Sequence, residues 1–198
     1  NHKIEPMYPY ALSKYQGEQA AFHWRKVYGT SVNSIRIFNA YGPRVKTTGA
    51  YGAVFGVFFK QKLSSEPFTI VGDGSQSRDF VYVTDVANAF ILAAETIKDG
   101  EIFNLGCGKP QSINKLADII KGEKVYLPKR PGEPDCTWAD NKKITSTLGW
   151  KETVSFEEGV NKMLKDIKNW ENAPLWNAKK IENATKTWFK YMDEGKIK

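Results

Sequence analysis

An alternating α/β fold is what this sequence predicts, and three observations carry the prediction. Short β-branched or aromatic runs alternate with longer stretches of helical spacing along most of the chain. Glycine turns at Gly29, Gly42, Gly72, Gly74, Gly106 and Gly108 separate them. With 198 residues, 41% of them hydrophobic and 26% charged, the chain can bury one core, or one and a half. No run of about 18 apolar residues offers a membrane span, and no repeat or low-complexity stretch is present.

The elements follow in order. Residues 11–28 place Leu12, Ala20, Ala21, Trp24 and Val27 at helical spacing, and Gly29 stands where a C-terminal cap belongs. Ser31 to Phe38 reads as a strand with Arg36 interrupting its apolar run. A turn at Tyr41-Gly42-Pro43-Arg44 leads through a polar loop to an apolar helix over 51–63. Phe68 to Val71 is a strand stopped by Gly72-Asp73-Gly74, and Asp79 to Val83 is another. Thr84 is the expected cap of a helix to about Ile97, apolar on Val86, Ala89, Phe90, Ala93 and Ala94. Ile102 to Leu105 is a buried strand that turns at Gly106-Cys107-Gly108 into a helix capped by Ser112. Val125 to Leu127 precedes the loop from Pro128 to Asp135. Helices near 141–148, 155–169 and 178–192 finish the chain, the second with a capping box in Ser155 and Glu158.

Charge and cysteine content narrow the function classes. The net charge of +7 suits an anionic ligand, but lysines from Lys162 onward supply much of it, so a solvated basic tail is expected in place of a nucleic-acid footprint. Two cysteines, Cys107 and Cys136, make neither a disulfide scaffold nor a metal site, and they point to a reducing, cytoplasmic setting. Neither nucleic acid nor membrane is an expected partner. His2 and His23 are isolated and expected at the surface. Trp138, Trp150, Trp170, Trp176 and Trp188 read as packing residues.

Tyr10 and Lys14 stand four residues apart, on one helix face and one turn from each other. A free tyrosine phenol ionises near pH 10, and a neighbouring cation favours its phenolate. A Tyr/Lys pair at this spacing can therefore act as an acid/base device, although chance produces the same spacing on many helix surfaces. Two glycine patterns imitate a phosphate-binding loop. The series from Gly49 to Gly56 lacks a preceding strand, and its spacing is one residue too long. Gly106 and Gly108 follow a strand but lack a third glycine. Both read as packing or turn glycines.

The segments carry more in combination. Tyr10-Ala11-Leu12-Ser13-Lys14 is followed by Arg36-Ile37-Phe38-Asn39-Ala40-Tyr41-Gly42-Pro43-Arg44, then by the run from Gly72 to Val86, by Asn104-Leu105-Gly106 and by Arg130-Pro131-Gly132-Glu133. In that order and spacing the set resembles the extended short-chain dehydrogenase/reductases that act on nucleotide sugars, the NDP-sugar 4-epimerases and 4,6-dehydratases. The likeness runs from about Tyr8 to about Gly159. It implies NAD as cofactor and a nucleotide-diphosphate sugar as substrate. Tyr10 would be the catalytic base. Lys14 would bind the nicotinamide ribose and favour the phenolate, and Phe38 would lie with them at the cofactor. Asn39 would hydrogen-bond the substrate near its diphosphate, Arg78 and Arg130 would clamp that diphosphate, and Glu133 would accept from the ribose hydroxyls. Asp85 is expected to be a first-turn helix residue stabilised by the helix dipole.

The resemblance also implies an architecture: the C-terminal part of a doubly wound, Rossmann-like parallel sheet plus a smaller mixed α/β substrate-binding domain. Residues 1–38 and about 80–108 would be the remaining part of the nucleotide-binding domain, and about 39–79 and 109–198 the sugar-nucleotide domain with C-terminal helices. The Gly-rich βα turn, the acid for the adenosine ribose and the upstream Ser/Thr of the family do not occur in this sequence. The expectation is therefore a C-terminal portion of a longer enzyme, a homodimer when full length. The 48–55 loop favours a UDP-glucose or UDP-N-acetylglucosamine 4-epimerase over a 4,6-dehydratase. A non-catalytic nucleotide-sugar-binding relative and an inactive fragment remain open alternatives. The tail from about Lys168 to Lys198 matches no function, and packing is its expected role.

Overall fold

A computed structural model describes residues 3–6, 9–45, 54–130 and 132–192. Helix α1 (Pro9–Tyr28) begins with proline at its first position, where the missing N–H costs nothing. It stops at Gly29, whose left-handed φ of 67° lets its N–H reach the Arg25 carbonyl at 3.0 Å. The expected single strand over Ser31 to Phe38 divides into β1 (Ser34–Ile37) and β2 (Asn39–Tyr41). Arg36, the residue that broke the apolar run, pairs through Nη2 with Glu18 of α1 at 2.6 Å and so ties helix to strand. That hydrogen bond holds the Glu18 carboxyl below its ordinary value against the opposing effect of burial.

Helix α2 (Val54–Leu63) buries Phe55, Phe58 and Phe59, the i, i+3, i+4 stripe of one face. The 51–53 start of the expected helix lies outside the described residues. Strand β3 (Phe68–Val71) leads through the left-handed Gly72 and Gly74 to β4 (Ser77–Arg78) and β5 (Phe80–Tyr82). Helix α3 (Val83–Glu95) follows with no loop between. Thr84 therefore does not cap it. The extended residue before the helix is Tyr82, which gives no side-chain cap, and Thr84 is already the second helical residue. Strands β6 (Ile102–Leu105) and β7 (Gln111–Ser112) precede α4 (Ile113–Ile120), where Ser112 Oγ accepts from Lys115 N as expected. After β8 (Lys124–Leu127) and β9 (Cys136–Thr137) come α5 (Lys142–Leu148), α6 (Phe156–Lys165), a 3₁₀ turn (Ile167–Trp170) and α7 (Ala178–Met192). The capping box of α6 is half formed. Ser155 Oγ accepts from Glu158 N, while the Glu158 carboxylate turns to Lys162 at 2.8 Å.

Pairing is mostly parallel: β1 with β6, β2 with β5 and β3 with β8, while β4 lies between antiparallel β7 and parallel β9. Two cores result. One gathers Tyr41, the α2 phenylalanines, Phe68, Ile70, Phe80, Tyr82 and the inner stripes of α4 and α6. The other gathers Val81, Val86, Ala89, Phe103, Leu105, Ile144 and Trp150. Strand β5 separates them by its period of two, with Phe80 and Tyr82 facing one core and Val81 the other. Aromatic contacts tighten the first core: Tyr41 stacks on Phe55 at 4.8 Å and Phe80 on Phe156 at 5.2 Å, each pair worth about 0.5–1.5 kcal/mol beyond area burial. The apolar spacing of α1 does not become burial, since none of its residues is buried, and Phe90 and Ala94 of α3 are likewise exposed.

Candidate active site

One cavity of about 330 Å³ collects four of the residues singled out in the sequence: Asn39, Arg78, Arg130 and Glu133. They arrive from different elements. Asn39 opens β2, Arg78 ends β4, and Arg130 and Glu133 belong to the loop between β8 and β9. Arg78 Nη2 meets Glu133 Oε1 at 2.9 Å, and its Nη1 donates to the carbonyls of Ser77 and Pro134. Arg130 lies 4.0 Å from the other Glu133 oxygen. One carboxylate thus faces two guanidiniums, each with a side chain no more than 15% exposed. The balance of this cluster is positive, and planar guanidinium forks match the oxygens of a phosphate. Thr137 Oγ1 donates to Asn39 Oδ1 at 3.0 Å, which fixes the amide and leaves its nitrogen as the donor. Phe55, Phe58, Phe80 and Ile113 supply an apolar wall.

Tyr10 and Lys14 are not among the residues lining this cavity. The Tyr10 ring is 74% exposed on the open face of α1, and the Lys14 ammonium lies over it, 5.4 Å from the ring centroid. The phenol is accessible. Phe38 is half-buried between β1 and β2, its N–H donating to Leu105 O.

Two buried carboxylates near the cavity are structural. Asp79 accepts from the backbone N–H groups of Cys107 at 2.7 Å and of Gly108 and Ala139 at 3.0 Å. Gly106 is glycine because a Cβ there would fall 2.7 Å from both Asp79 Oδ2 and Ala139 Cβ. The Cys107 and Gly108 N–H groups therefore serve a protein carboxylate, which agrees with the reading of Gly106 and Gly108 as packing or turn glycines. Asp85 does occupy the first turn of α3, but it does more than complement the dipole. Its carboxylate accepts from Thr153 N and Val154 N at 3.1 Å and from the Thr153 hydroxyl. Trp150 Nε1 donates to the Asp85 carbonyl. Cys107 is half-buried, and desolvation together with Glu152 and Asp79 pushes its thiol well above the ordinary range, which disfavours a nucleophilic thiolate. Among the described residues no His/Cys/Asp/Glu group could hold a metal ion, and no helix is long and apolar enough to cross a membrane.

Sequence reasoning gives Gln61 and Gln76 no role and reads Trp176 as a packing residue. Gln76 and Trp176 line the cavity, and Gln61, wholly buried, donates to Thr69 Oγ1 and to the Trp176 carbonyl. Only Trp176 carried a signal, a large aromatic in a polar tail.

This chain matches the model of the NAD dependent epimerase/dehydratase family over residues 1–106, more than half its length. It belongs to that family. A UDP-glucuronate 4-epimerase of Thermodesulfobacterium geofontis is 34% identical over 185 residues, which is 89% of this chain and 54% of that protein. Among solved structures, the UDP-glucuronic acid 4-epimerase of Bacillus cereus in complex with UDP-glucuronic acid and NAD superposes with a TM-score of 0.74 at 34% identity. The match covers 83% of this chain and 54% of that one. The UDP-N-acetylglucosamine 4-epimerase of Methanobrevibacter ruminantium, in complex with UDP-N-acetylmuramic acid, gives 0.76 at 34% identity over 81% and 54%. The epimerase/dehydratase chain described here spans about half the length of these relatives.

Proposed function

We propose that this chain carries the substrate clamp and the Tyr/Lys pair of an NAD-dependent UDP-sugar 4-epimerase. The observation that supports it most is the convergence of Asn39, Arg78, Arg130 and Glu133 on one cavity. The two arginines take the diphosphate, and Asn39 donates to the substrate beside it. Glu133, which holds Arg78 at present, turns to the ribose hydroxyls once phosphate oxygens replace it. The two cores support placing 39–79 and 109–198 with the sugar nucleotide, although Ile144 and Trp150 pack in the other core.

In this reading Tyr10 removes the proton from the sugar C4 hydroxyl and later returns it. Its exposure and the ammonium beside it fit the nicotinamide-ribose end of NAD, which when bound takes up and gives back the C4 hydride. The 4-keto sugar turns over between the two transfers, so the hydride returns to the opposite face. The test is incubation of the full-length protein, NAD present, with UDP-glucose or UDP-N-acetylglucosamine and NMR analysis of the sugar. The C4 epimer is expected. A 4-keto-6-deoxy product would instead make the enzyme a 4,6-dehydratase. Tyr10→Phe should abolish turnover while nucleotide-sugar binding persists. Binding without turnover would indicate a non-catalytic relative or an inactive fragment.

A further inference from the structure

The tail was expected only to pack, yet its placement is built with care. Gln61, a fully buried amide of α2, donates to the Trp176 carbonyl at 2.6 Å while binding both the hydroxyl and the N–H of Thr69. Lys60 Nζ reaches the Glu171 carbonyl at 2.7 Å, and Lys180 Nζ the Leu175 carbonyl at 3.1 Å. Asn177 Oδ1 accepts from Lys180 N at the start of α7. These contacts fix Trp176 and Ile181 as part of the cavity wall. One polar atom is left over. Trp176 Nε1 is buried and has no acceptor, the sole such side-chain atom among the described residues. A buried N–H without a partner is costly and rare, and each one calls for an explanation.

We propose that Trp176 is a ligand-binding residue, its indole N–H, closed to solvent in this arrangement, turning into the cavity to donate to an oxygen of the bound nucleotide sugar. The proposal rests on the nucleotide-sugar reading of the cavity. Because the arginines take the diphosphate, the acceptor belongs to the base or to the sugar, both of which present carbonyl or hydroxyl oxygens. The tail thereby becomes a determinant of which nucleotide sugar fits.

Calorimetric titration with UDP and with UDP-glucose tests this in the wild-type chain, Trp176→Phe and Arg78→Ala. Loss of one neutral hydrogen bond should weaken binding of Trp176→Phe about 3- to 10-fold. An equal loss for UDP and UDP-glucose places the acceptor on the nucleotide, and a loss for UDP-glucose alone places it on the sugar. Replacing residue 176 by benzothienylalanine, which keeps the indole shape without the N–H, should reproduce the loss where the phenylalanine variant folds poorly. In ¹⁵N spectra the indole resonance missing from Trp176→Phe should move downfield when UDP-glucose is added to the wild type. Unchanged affinity in both 176 variants, with Arg78→Ala still impaired, overturns the role of Trp176 alone. Absence of binding by the wild type overturns the nucleotide-sugar reading with it.

Discussion

At the residue scale, Arg78 and Asp79 are neighbours with opposite duties. Arg78 keeps its guanidinium at the cavity, held by Glu133 and two carbonyls. Hydrogen bonds to a charged group contribute about 1.5–3 kcal/mol, so on the proposed nucleotide-sugar reading Arg78→Ala should raise the dissociation constant for UDP-glucose roughly 10- to 100-fold. Arg78→Lys keeps the charge without the fork, so calorimetry should show it recovering only part of the loss. Asp79, one residue on, points away from solvent into three backbone N–H groups. Asp79→Asn places an NH₂ where one of those donors needs an oxygen, and the unpaired buried N–H should cost about 1–3 kcal/mol. A lower midpoint in urea with an unchanged slope is the expected result. Retained UDP-glucose affinity in Asp79→Asn would separate its structural duty from the binding role proposed for Arg78.

At the element scale, the most legible parts were those with strong periodicity. The buried stripes of α4 (Ile113, Leu116, Ala117, Ile120) and α6 (Phe156, Gly159, Val160, Met163) follow i, i+3, i+4, i+7. Helix α1 was legible as a helix but not in its burial, because spacing cannot say whether a partner element covers the face. The cap of α3 was misread because Thr84 has the right chemistry while β5 runs straight into the helix. Of the cavity lining, Asn39, Arg78, Arg130 and Glu133 stand out through their neighbours in sequence, whereas the buried Gln61 behind it does not, since its two partners stand 8 and 115 residues away. The end of α1 carries a pH-dependent link that the same reading could not find. Asp99 accepts from Arg25, Val32 N and Ser31, and chiefly the Arg25 hydrogen bond holds its carboxyl down at about 2. Unfolded, the group titrates near pH 4. The stabilisation is therefore complete above about pH 4 and disappears as pH falls through about 2. Asp99→Asn should remove that part of the acid dependence, so circular dichroism between pH 4 and 2 should show a shallower stability loss than in the wild type. Identical acid profiles would reject the link.

At the scale of the whole molecule, two cores share a boundary strand and are linked by the buried Asp85 carboxylate. Val81 turns to one core between Phe80 and Tyr82 turned to the other, and Asp85 of α3 holds the backbone of Val154, a first-core residue. Loosening the first core exposes the Val154 N–H that this carboxylate satisfies from α3, so the two should unfold together. Ligand binding provides the measurement, because the candidate cavity is walled by first-core residues such as Phe55, Phe58 and Phe80. On the proposed nucleotide-sugar reading, UDP-glucose at about 100 times its dissociation constant should stabilise the folded state by about 2.7 kcal/mol. For a chain of this size that raises the melting temperature by about 5–10 °C. Scanning calorimetry should show one transition that moves as a whole, with the shift much reduced at the same ligand concentration in Arg78→Ala. Two transitions, of which only one responds to ligand, would mean that β5 and Asp85 do not couple the cores.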